Sequence, residues 1–130
     1  MSKLLVVEDN PSNLYVAREL LRKYGYDVCE ATTGEQALNV WESEEISLIL
    51  MDIQMPVMNG WDVTKVIRER ETKSGRGRTP IIALTAHAIL DYKEKCFDMD
   101  MDGYVTKPII ILDLVETIER TLIAVAGSSN

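Results

Sequence analysis

The chain has 130 residues, of which 46% are hydrophobic and 27% are charged, a balance typical of a single soluble globular domain. A domain of this size buries a core large enough to be stable without disulfides or structural metals. The formal net charge of −7 argues against direct nucleic-acid binding, because phosphate backbones are bound by basic surfaces.

Short apolar runs alternate with amphipathic segments along the whole chain. Strands are predicted near residues 3–7, 27–30, 47–51, 80–84 and 103–106. Helices are predicted from Asn10-Pro11 to Gly25, from Thr33 in a capping box with Gln36, after Gly60, over 87–97 and over 110–125. Five β–α units in strict alternation predict a doubly wound α/β fold with a parallel sheet between helices. One domain is therefore expected over residues 1–125, followed by a flexible tail over residues 126–130.

The two cysteines and the chain start bear on the compartment. Cys29 and Cys96 are isolated in the sequence, which favours a reducing, cytoplasmic setting over a disulfide or zinc site. No apolar run approaches the length of a signal peptide or a bilayer span. We therefore expect a cytoplasmic protein with no membrane partner and no direct nucleic-acid partner.

Two segments read as loops. Residues 73–78 are rich in glycine and arginine and predict a mobile solvated loop, with a partner-binding patch as the alternative. Residues 98–103 imitate the start of a calcium-binding loop, but the twelfth position is Ile109 where a bidentate glutamate is needed. A solvated turn is the better prediction there.

Polar groups stand where the predicted strands end, and Asp52 is the most informative of them. It follows the apolar run at residues 48–51 and precedes a turn, and an unpaired carboxylate has no packing reason to be at the end of a buried strand. Glu8-Asp9, Thr85 and Lys107 follow other strands in the same way. With strand order 2-1-3-4-5, strands 1 and 3 are neighbours about 4.8 Å apart, so Glu8, Asp9 and Asp52 converge.

Three carboxylates this close repel one another. A pair about 4 Å apart costs about 4 kcal/mol at an effective dielectric of about 20. Lys107 supplies one compensating charge, and a divalent cation bound by oxygen ligands would supply the rest. Mg²⁺ fits best, with Mn²⁺ as a second candidate, because Mg²⁺ takes one or two carboxylates, keeps several waters and accepts phosphate oxygens.

Over about residues 3–125 the chain resembles the receiver domain of two-component response regulators, either stand-alone or of the hybrid sensor kinase type. Four motifs in the right order and spacing carry the resemblance: Val6-Val7-Glu8-Asp9-Asn10, the eleven residues from Leu50 to Gly60, Ile82-Ala83-Leu84-Thr85-Ala86, and Tyr104-Val105-Thr106-Lys107-Pro108. It implies a flavodoxin-like (βα)5 fold and a signalling switch rather than an enzyme acting on external substrates.

The resemblance also implies residue roles. Asp52 would accept a phosphoryl group from a phosphohistidine, and Glu8 and Asp9 would hold Mg²⁺ with Asp52 and the backbone carbonyl of Gln54. Lys107 would pair with the carboxylate and then, like the Thr85 hydroxyl, with the phosphoryl group. The remaining implied roles are an inward turn of Tyr104 on switching, control of the phosphoryl lifetime by Gln54 and His87, donor docking by Tyr15 and Val16, and a cis peptide bond between Lys107 and Pro108.

The implied donor is a histidine kinase or a histidine phosphotransfer protein, and a phosphorylation-dependent homodimer is one output; the downstream target is not indicated. Met1 and the near-complete fold favour an independent chain, while residues 84–88 and the long loop before strand 4 resemble receivers fused to hybrid kinases. A flavin or nucleotide binder is disfavoured because the first loop is acidic where a phosphate cradle is needed. An aspartate-nucleophile phosphatase would carry a second aspartate at position 54, and a histidine phosphotransfer module would be a helical bundle.

Overall fold

The computed structural model describes residues 3–86 and 90–128, with side chains described for residues 3–86 and 91–124. Along these residues, strands and helices alternate: β1 Lys3–Val7, α1 Pro11–Lys23, β2 Asp27–Ala31, α2 Gly34–Ser43, β3 Leu48–Asp52, α3 Gly60–Ser74, β4 Ile81–Thr85, α4 Leu90–Asp98, β5 Gly103–Thr106 and α5 Ile111–Ser128. The bounds of every strand agree with the prediction to within one residue.

The five strands form one parallel sheet in the order β2-β1-β3-β4-β5, which confirms the predicted fold. Val7 pairs with Met51 across β1 and β3, and Asp52 pairs with Leu84 across β3 and β4. The residues that follow these pairs therefore emerge together at the carboxyl edge of the sheet, where ligands bind in doubly wound folds.

The sheet separates two apolar layers. Successive side chains of a strand point to opposite faces, and β1 shows this directly: Leu4 and Val6 pack with Leu14, Ala17 and Leu21 of α1 and with Leu114 and Ile118 of α5. Leu5 and Val7 pack with residues of α2, α3 and α4 on the other face. Because both faces are covered, the central strands are buried along their length.

The helix termini are set by local hydrogen bonds. Asn10 caps α1 by accepting from the backbone N–H of Asn13 at 3.0 Å, and Gly25, with φ of 89°, follows its last turn. At α2, Thr33 accepts from the N–H of Gln36. The Gln36 side chain, however, accepts from the N–H and hydroxyl of Thr32, so the capping box predicted between Thr33 and Gln36 is only half formed.

A complete capping box starts α3 instead. Asn59 accepts from the N–H of Asp62, and the Asp62 carboxylate accepts from the N–H of Asn59. Gly60 then brings the helix against the end of β3, because a Cβ at this position would lie 2.5 Å from the carbonyl oxygen of Asp52. The start of α3 is thereby fixed against the backbone of Asp52.

The solvated loop predicted at residues 73–78 is largely exposed, but it begins only at Gly75. Residues up to Ser74 continue α3, and Gly75, with φ of 70°, ends it. The guanidinium of Arg76 lies 4.2 Å from the centre of the Trp41 ring and donates to the Trp41 carbonyl. Arg78 pairs with Asp102 at 2.9 Å, so both arginines anchor the segment to distant parts of the chain.

The turn predicted at residues 98–103 is present at residues 99–100, but the segment is only partly solvated, as Asp102 shows. Its side chain is only 17% exposed and pairs with Arg68 of α3 at 2.9 Å. It also accepts from the backbone N–H of Ile81. The segment is thus tied to α3 and to the first residue of β4.

Val57 is a strained residue in the loop between β3 and α3. Its φ of 68° lies in the left-handed region, which costs a β-branched residue about 1–2 kcal/mol, and its side chain is fully exposed. We expect Val57→Asn to raise the free energy of unfolding by about 0.5–1 kcal/mol, since asparagine tolerates this conformation. Denaturant unfolding measures this free energy. Val57→Ile is the matched control, for which no gain is expected. Equal stabilities of the wild-type protein and both variants would contradict the prediction.

At the carboxyl end of the chain, α5 continues to Ser128, three residues into the segment 126–130 for which the sequence predicts a tail. The Lys107–Pro108 peptide bond is cis, as expected. Within the described residues, the helices are all too short or too polar to cross a bilayer.

Candidate functional site

The predicted polar groups at the ends of four of the five strands meet at one edge of the sheet. Glu8 and Asp9 follow β1, Asp52 is the last residue of β3, and Thr85 is the last residue of β4. Lys107 follows β5, and its backbone N–H donates to the Thr85 carbonyl at 2.8 Å. Parallel strands with this register bring the five residues to one rim.

The carboxylates of Glu8, Asp9 and Asp52 form a compact acidic cluster, in which one oxygen of each lies within 4.8 Å of the others. Glu8 and Asp52 are buried, each 2% exposed, while Asp9 is exposed. The ammonium of Lys107 lies 2.6 Å from Glu8 Oε1 and 3.3 Å from Asp52 Oδ1. Lys107 is therefore held more closely by Glu8 than by Asp52.

Burial and the neighbouring carboxylate raise the pKa of Asp52 to about 8. Removal from water disfavours the charged form, and a hydrogen bond and repulsion from Glu8 add to this, while Lys107 and the backbone N–H of Gln54 oppose it. For Glu8, burial acts to raise the pKa, but hydrogen bonds with Asp52 and Lys107 outweigh it and lower the pKa. Contact between the two carboxylates thus raises the pKa of Asp52 and lowers the pKa of Glu8.

This donor set fits a divalent cation such as Mg²⁺. Three carboxylates converge, and Glu8 Oε2 is buried with no hydrogen-bond partner among the described residues. A buried carboxylate oxygen without a partner is costly, and a hard cation that takes oxygen ligands removes that cost. The residues present therefore suit the ion that the sequence predicts.

The remaining predicted residues fall into three groups. Thr85 is buried at the end of β4, and Tyr104 is half-buried in β5; burial raises the pKa of Tyr104. Gln54 is exposed, and its backbone N–H donates to Asp52 Oδ1 at 3.1 Å. His87 lies outside the described residues.

Tyr15 and Val16 lie on α1 and are 57% and 49% exposed. Val16 lines a cleft of about 430 Å³ that reaches Lys107 and Pro108. The rest of its lining consists of Asn13, Ala86 and Ile109, none of which the sequence predicts as a site residue. Their position beside the predicted motifs was the available signal, because Asn13 follows the first motif and Ile109 follows Lys107-Pro108.

Comparison with known proteins identifies the family. Residues 4–119 match the model of the response regulator receiver domain. The chain is 48% identical over 112 residues to hybrid signal transduction histidine kinase I of Dictyostelium discoideum, covering 82% of this chain and 6% of that protein. It is 39% identical over 116 residues to the sensor protein GacS of Pseudomonas syringae pv. syringae, covering 89% of this chain and 13% of that protein.

Solved structures agree in fold. The receiver domain of sensor histidine kinase PA1611 from Pseudomonas aeruginosa PAO1, solved with magnesium coordinated in its active-site cleft, superposes with a TM-score of 0.82 at 37% identity, over 93% of this chain and 97% of that one. Chemotaxis protein CheY4 of Vibrio cholerae gives a TM-score of 0.84 at 29% identity, over 93% and 98% of the two chains. The chain spans only a small part of the hybrid kinases it matches, and it belongs to the response regulator receiver domain family of two-component signalling proteins.

Proposed function

We propose that Asp52 accepts a phosphoryl group from a phosphohistidine on a histidine kinase or histidine phosphotransfer protein. The observation that carries this proposal is the position of Asp52, which is buried among Glu8, Asp9 and Lys107 at the ligand-binding edge of the sheet. In the reaction, a carboxylate oxygen of Asp52 attacks phosphorus and the P–N bond to the imidazole breaks. The histidine keeps the bonding electron pair, and the product is an acyl phosphate.

The proton on Asp52 accounts for a metal requirement. With its pKa at about 8, Asp52 is mostly neutral at pH 7 and is then a poor nucleophile. We propose that Glu8, Asp9, Asp52 and the Gln54 carbonyl would hold a divalent cation, whose positive charge would keep these carboxylates ionised and neutralise phosphoryl oxygens. Lys107 and the Thr85 hydroxyl donate to the phosphoryl group.

Metal binding is therefore expected to be linked to pH. The pKa of Asp52 rises from its ordinary value of 3.8 to about 8 on folding, so the metal-free protein loses stability as the pH rises from about 4 towards 8. Because Mg²⁺ competes with this proton, it should raise the unfolding temperature more at pH 8 than at pH 5.5. At a hundredfold excess of Mg²⁺ over its Kd, the gain in the free energy of unfolding should approach about 2.7 kcal/mol.

Thermal unfolding with and without Mg²⁺ at the two pH values measures this linkage. Asp52→Asn is the control, because it cannot hold the proton and lacks one proposed ligand. A Mg²⁺ effect of the same size at both pH values in the wild-type protein would contradict the linkage.

We propose that the cleft beside Val16 receives the histidine-bearing helix of the donor. Val16 presents apolar surface in the cleft that reaches Lys107, as a partner that must bring its histidine to Asp52 requires, and Tyr15 is the exposed residue before it on α1. Val16→Asp should slow phosphotransfer from a histidine donor by about tenfold or more, since a charge is placed in an apolar contact. Acetyl phosphate needs no docking helix and should still load the variant at the wild-type rate.

Parallel time courses with the two donors, followed by Phos-tag electrophoresis, separate docking from chemistry. Ser12→Asp, an exposed position on the same helix, is a matched control for added charge. Equal slowing with both donors would assign Val16 to the chemistry or to the fold instead.

Phosphorylation adds about 1.5–2 negative charges, and we propose that Thr85 and Tyr104 pass this change to the face formed by α4, β5 and α5. Phe97 and Leu112 expose apolar surface there, which suits partner binding or a phosphorylation-dependent homodimer. We further propose that Gln54 and His87 set the lifetime of the acyl phosphate and that Mn²⁺ can substitute for Mg²⁺.

We also propose that the protein acts in the cytoplasm, where Cys29 and Cys96 stay reduced.

One experiment tests the proposed function as a whole. The protein is mixed with a phosphorylated histidine donor and Mg²⁺, and intact-mass spectrometry follows the addition of one phosphoryl group that hydroxylamine removes. The reaction should stop when EDTA removes the metal. A stable, hydroxylamine-resistant product would exclude an acyl phosphate and with it the proposal.

A further inference from the structure

Trp61, in the first turn of α3, contacts α4 through three different interactions. Its ring lies 5.2 Å from the Tyr92 ring at an interplanar angle of 46°. The ammonium of Lys95 lies 4.2 Å from the centre of its ring. The third interaction is with the Cys96 thiol. Burial raises the pKa of this thiol, and a hydrogen bond from the indole N–H offsets part of the rise. Trp61 thereby interacts with Tyr92 and, one turn further along α4, with Lys95 and Cys96.

Trp61 is also tied to the phosphoryl-acceptor strand. It follows Gly60, whose N–H donates to the Ile53 carbonyl at 3.0 Å and whose Cα packs against the carbonyl of Asp52. The capping box between Asn59 and Asp62 fixes the same turn. A shift of the backbone at Asp52 must therefore move the base of Trp61.

The apolar surroundings of Trp61 extend to Tyr104 of β5. Trp61, Tyr92 and Tyr104 are all partly buried against the same apolar layer, and Cys96 and Tyr92 contribute to the raised pKa of Tyr104 after the main effect of burial.

The described arrangement has Lys107 committed to Glu8, at 2.6 Å, rather than to Asp52, at 3.3 Å. A loaded Asp52 would draw Lys107 towards the new phosphoryl oxygens and away from Glu8. The contacts of Trp61 with Tyr92 and Lys95 are found together with this position of Lys107.

We propose that Trp61 is a positioning residue that holds α4 in its resting place, so that loading Asp52 must loosen the contacts of Trp61 with Tyr92 and Lys95. This inference rests on the proposed function. A side chain that stabilises the resting state opposes every ligand that favours the loaded state, because the apparent affinity of that ligand falls with the population of the competent state. Removing the contact should then tighten binding at a site the side chain does not touch.

The test measures beryllofluoride binding to Asp52 in the presence of Mg²⁺, by titration calorimetry and by the ¹⁹F NMR signal of the bound ion. Trp61→Leu should bind beryllofluoride about five- to tenfold more tightly than the wild-type protein, as expected for the loss of one aromatic pair and one cation–π contact. Trp61→Phe keeps the ring contact with Tyr92 and should stay within about twofold of wild type. A merely structural defect would weaken binding rather than strengthen it.

Two further measurements keep the inference testable if Trp61→Leu does not fold. Lys95→Met removes the cation above the ring and should tighten binding about two- to threefold, while Lys93→Met, an exposed position on the same helix, should change nothing. In Trp41→Phe, where Trp61 is the remaining tryptophan, beryllofluoride should shift the emission maximum. In Trp61→Phe, where Trp41 remains, the emission should stay constant.

The outcomes distinguish this inference from the proposed function. If the wild-type protein shows no beryllofluoride binding that Asp52→Asn abolishes, the proposed function fails and the inference fails with it. If that binding is present but Trp61→Leu and Lys95→Met bind with unchanged or weaker affinity, or if Trp61 emission does not respond, the positioning role alone is overturned.

Discussion

Asp52→Asn is expected to reduce phosphoryl incorporation from either a histidine donor or acetyl phosphate by a hundredfold or more, to about the background level. The amide has no charged oxygen to attack phosphorus. Glu8 is as deeply buried as Asp52, but Lys107 engages Glu8 more closely, at 2.6 Å against 3.3 Å for Asp52. Asp52 therefore remains the acceptor that we propose.

The same variant should be more stable than the wild-type protein without Mg²⁺ at neutral pH. Asparagine carries no titrating proton and does not repel Glu8, so the penalty that raises the pKa of Asp52 to about 8 is removed. A loss of labelling together with a gain in the unfolding temperature separates lost chemistry from lost structure. Asp27→Asn, at an exposed position on β2, is the control and should label like the wild type.

Incorporation of label into Asp52→Asn at more than about a tenth of the wild-type rate would place the acceptor elsewhere. Peptide mapping of borohydride-reduced protein would then identify the residue that carries the acyl phosphate. The same mapping on the wild-type protein should place the reduced product at position 52.

The strands and the polar strand ends could be predicted from sequence because their signals are local. Residues 48–51 form an uninterrupted apolar run that stops at Asp52, and the strand ends within one residue of that point. The motifs then placed Glu8, Thr85 and Lys107 at the same edge, and the parallel register brings them there. The order of the strands could not be predicted from particular residues, and the predicted order is the one common among doubly wound folds.

The finer geometry depends on contacts between distant residues, which no local pattern encodes. Residues 73–78 have the composition of a solvated loop, but Arg76 contacts Trp41 and Arg78 contacts Asp102. Lys107 was expected to pair with the phosphoryl acceptor, and it lies closer to Glu8, because differences of less than 1 Å are set by packing. Trp61 drew no attention in the sequence, although an aromatic directly after the glycine of a motif, in a chain with 6% aromatics, was a usable signal.

The most costly single substitution away from the site is expected at Arg68. Its guanidinium is 11% exposed and pairs with Glu71 at 2.8 Å and Asp102 at 2.9 Å. It also donates to the backbone carbonyls of Thr79 and Asp100. These contacts join α3 to the segments that lead into β4 and β5, at the edge of the sheet opposite the acidic cluster.

Arg68→Met should lower the free energy of unfolding by about 3–5 kcal/mol. It removes the only cation from the Glu71 carboxylate, 7% exposed, which keeps only the backbone N–H of Thr79 as a donor among the described contacts, and it removes the donor to two carbonyls. Arg70→Met is the matched control: Arg70 pairs with Glu42 at 2.6 Å, but both side chains are about half exposed, and such a pair contributes about 0–1 kcal/mol. Urea unfolding followed by circular dichroism measures both variants under the same conditions. Equal losses for the two arginines would show that the buried network contributes no more than a surface ion pair, and that apolar packing alone holds α3 against the start of β4.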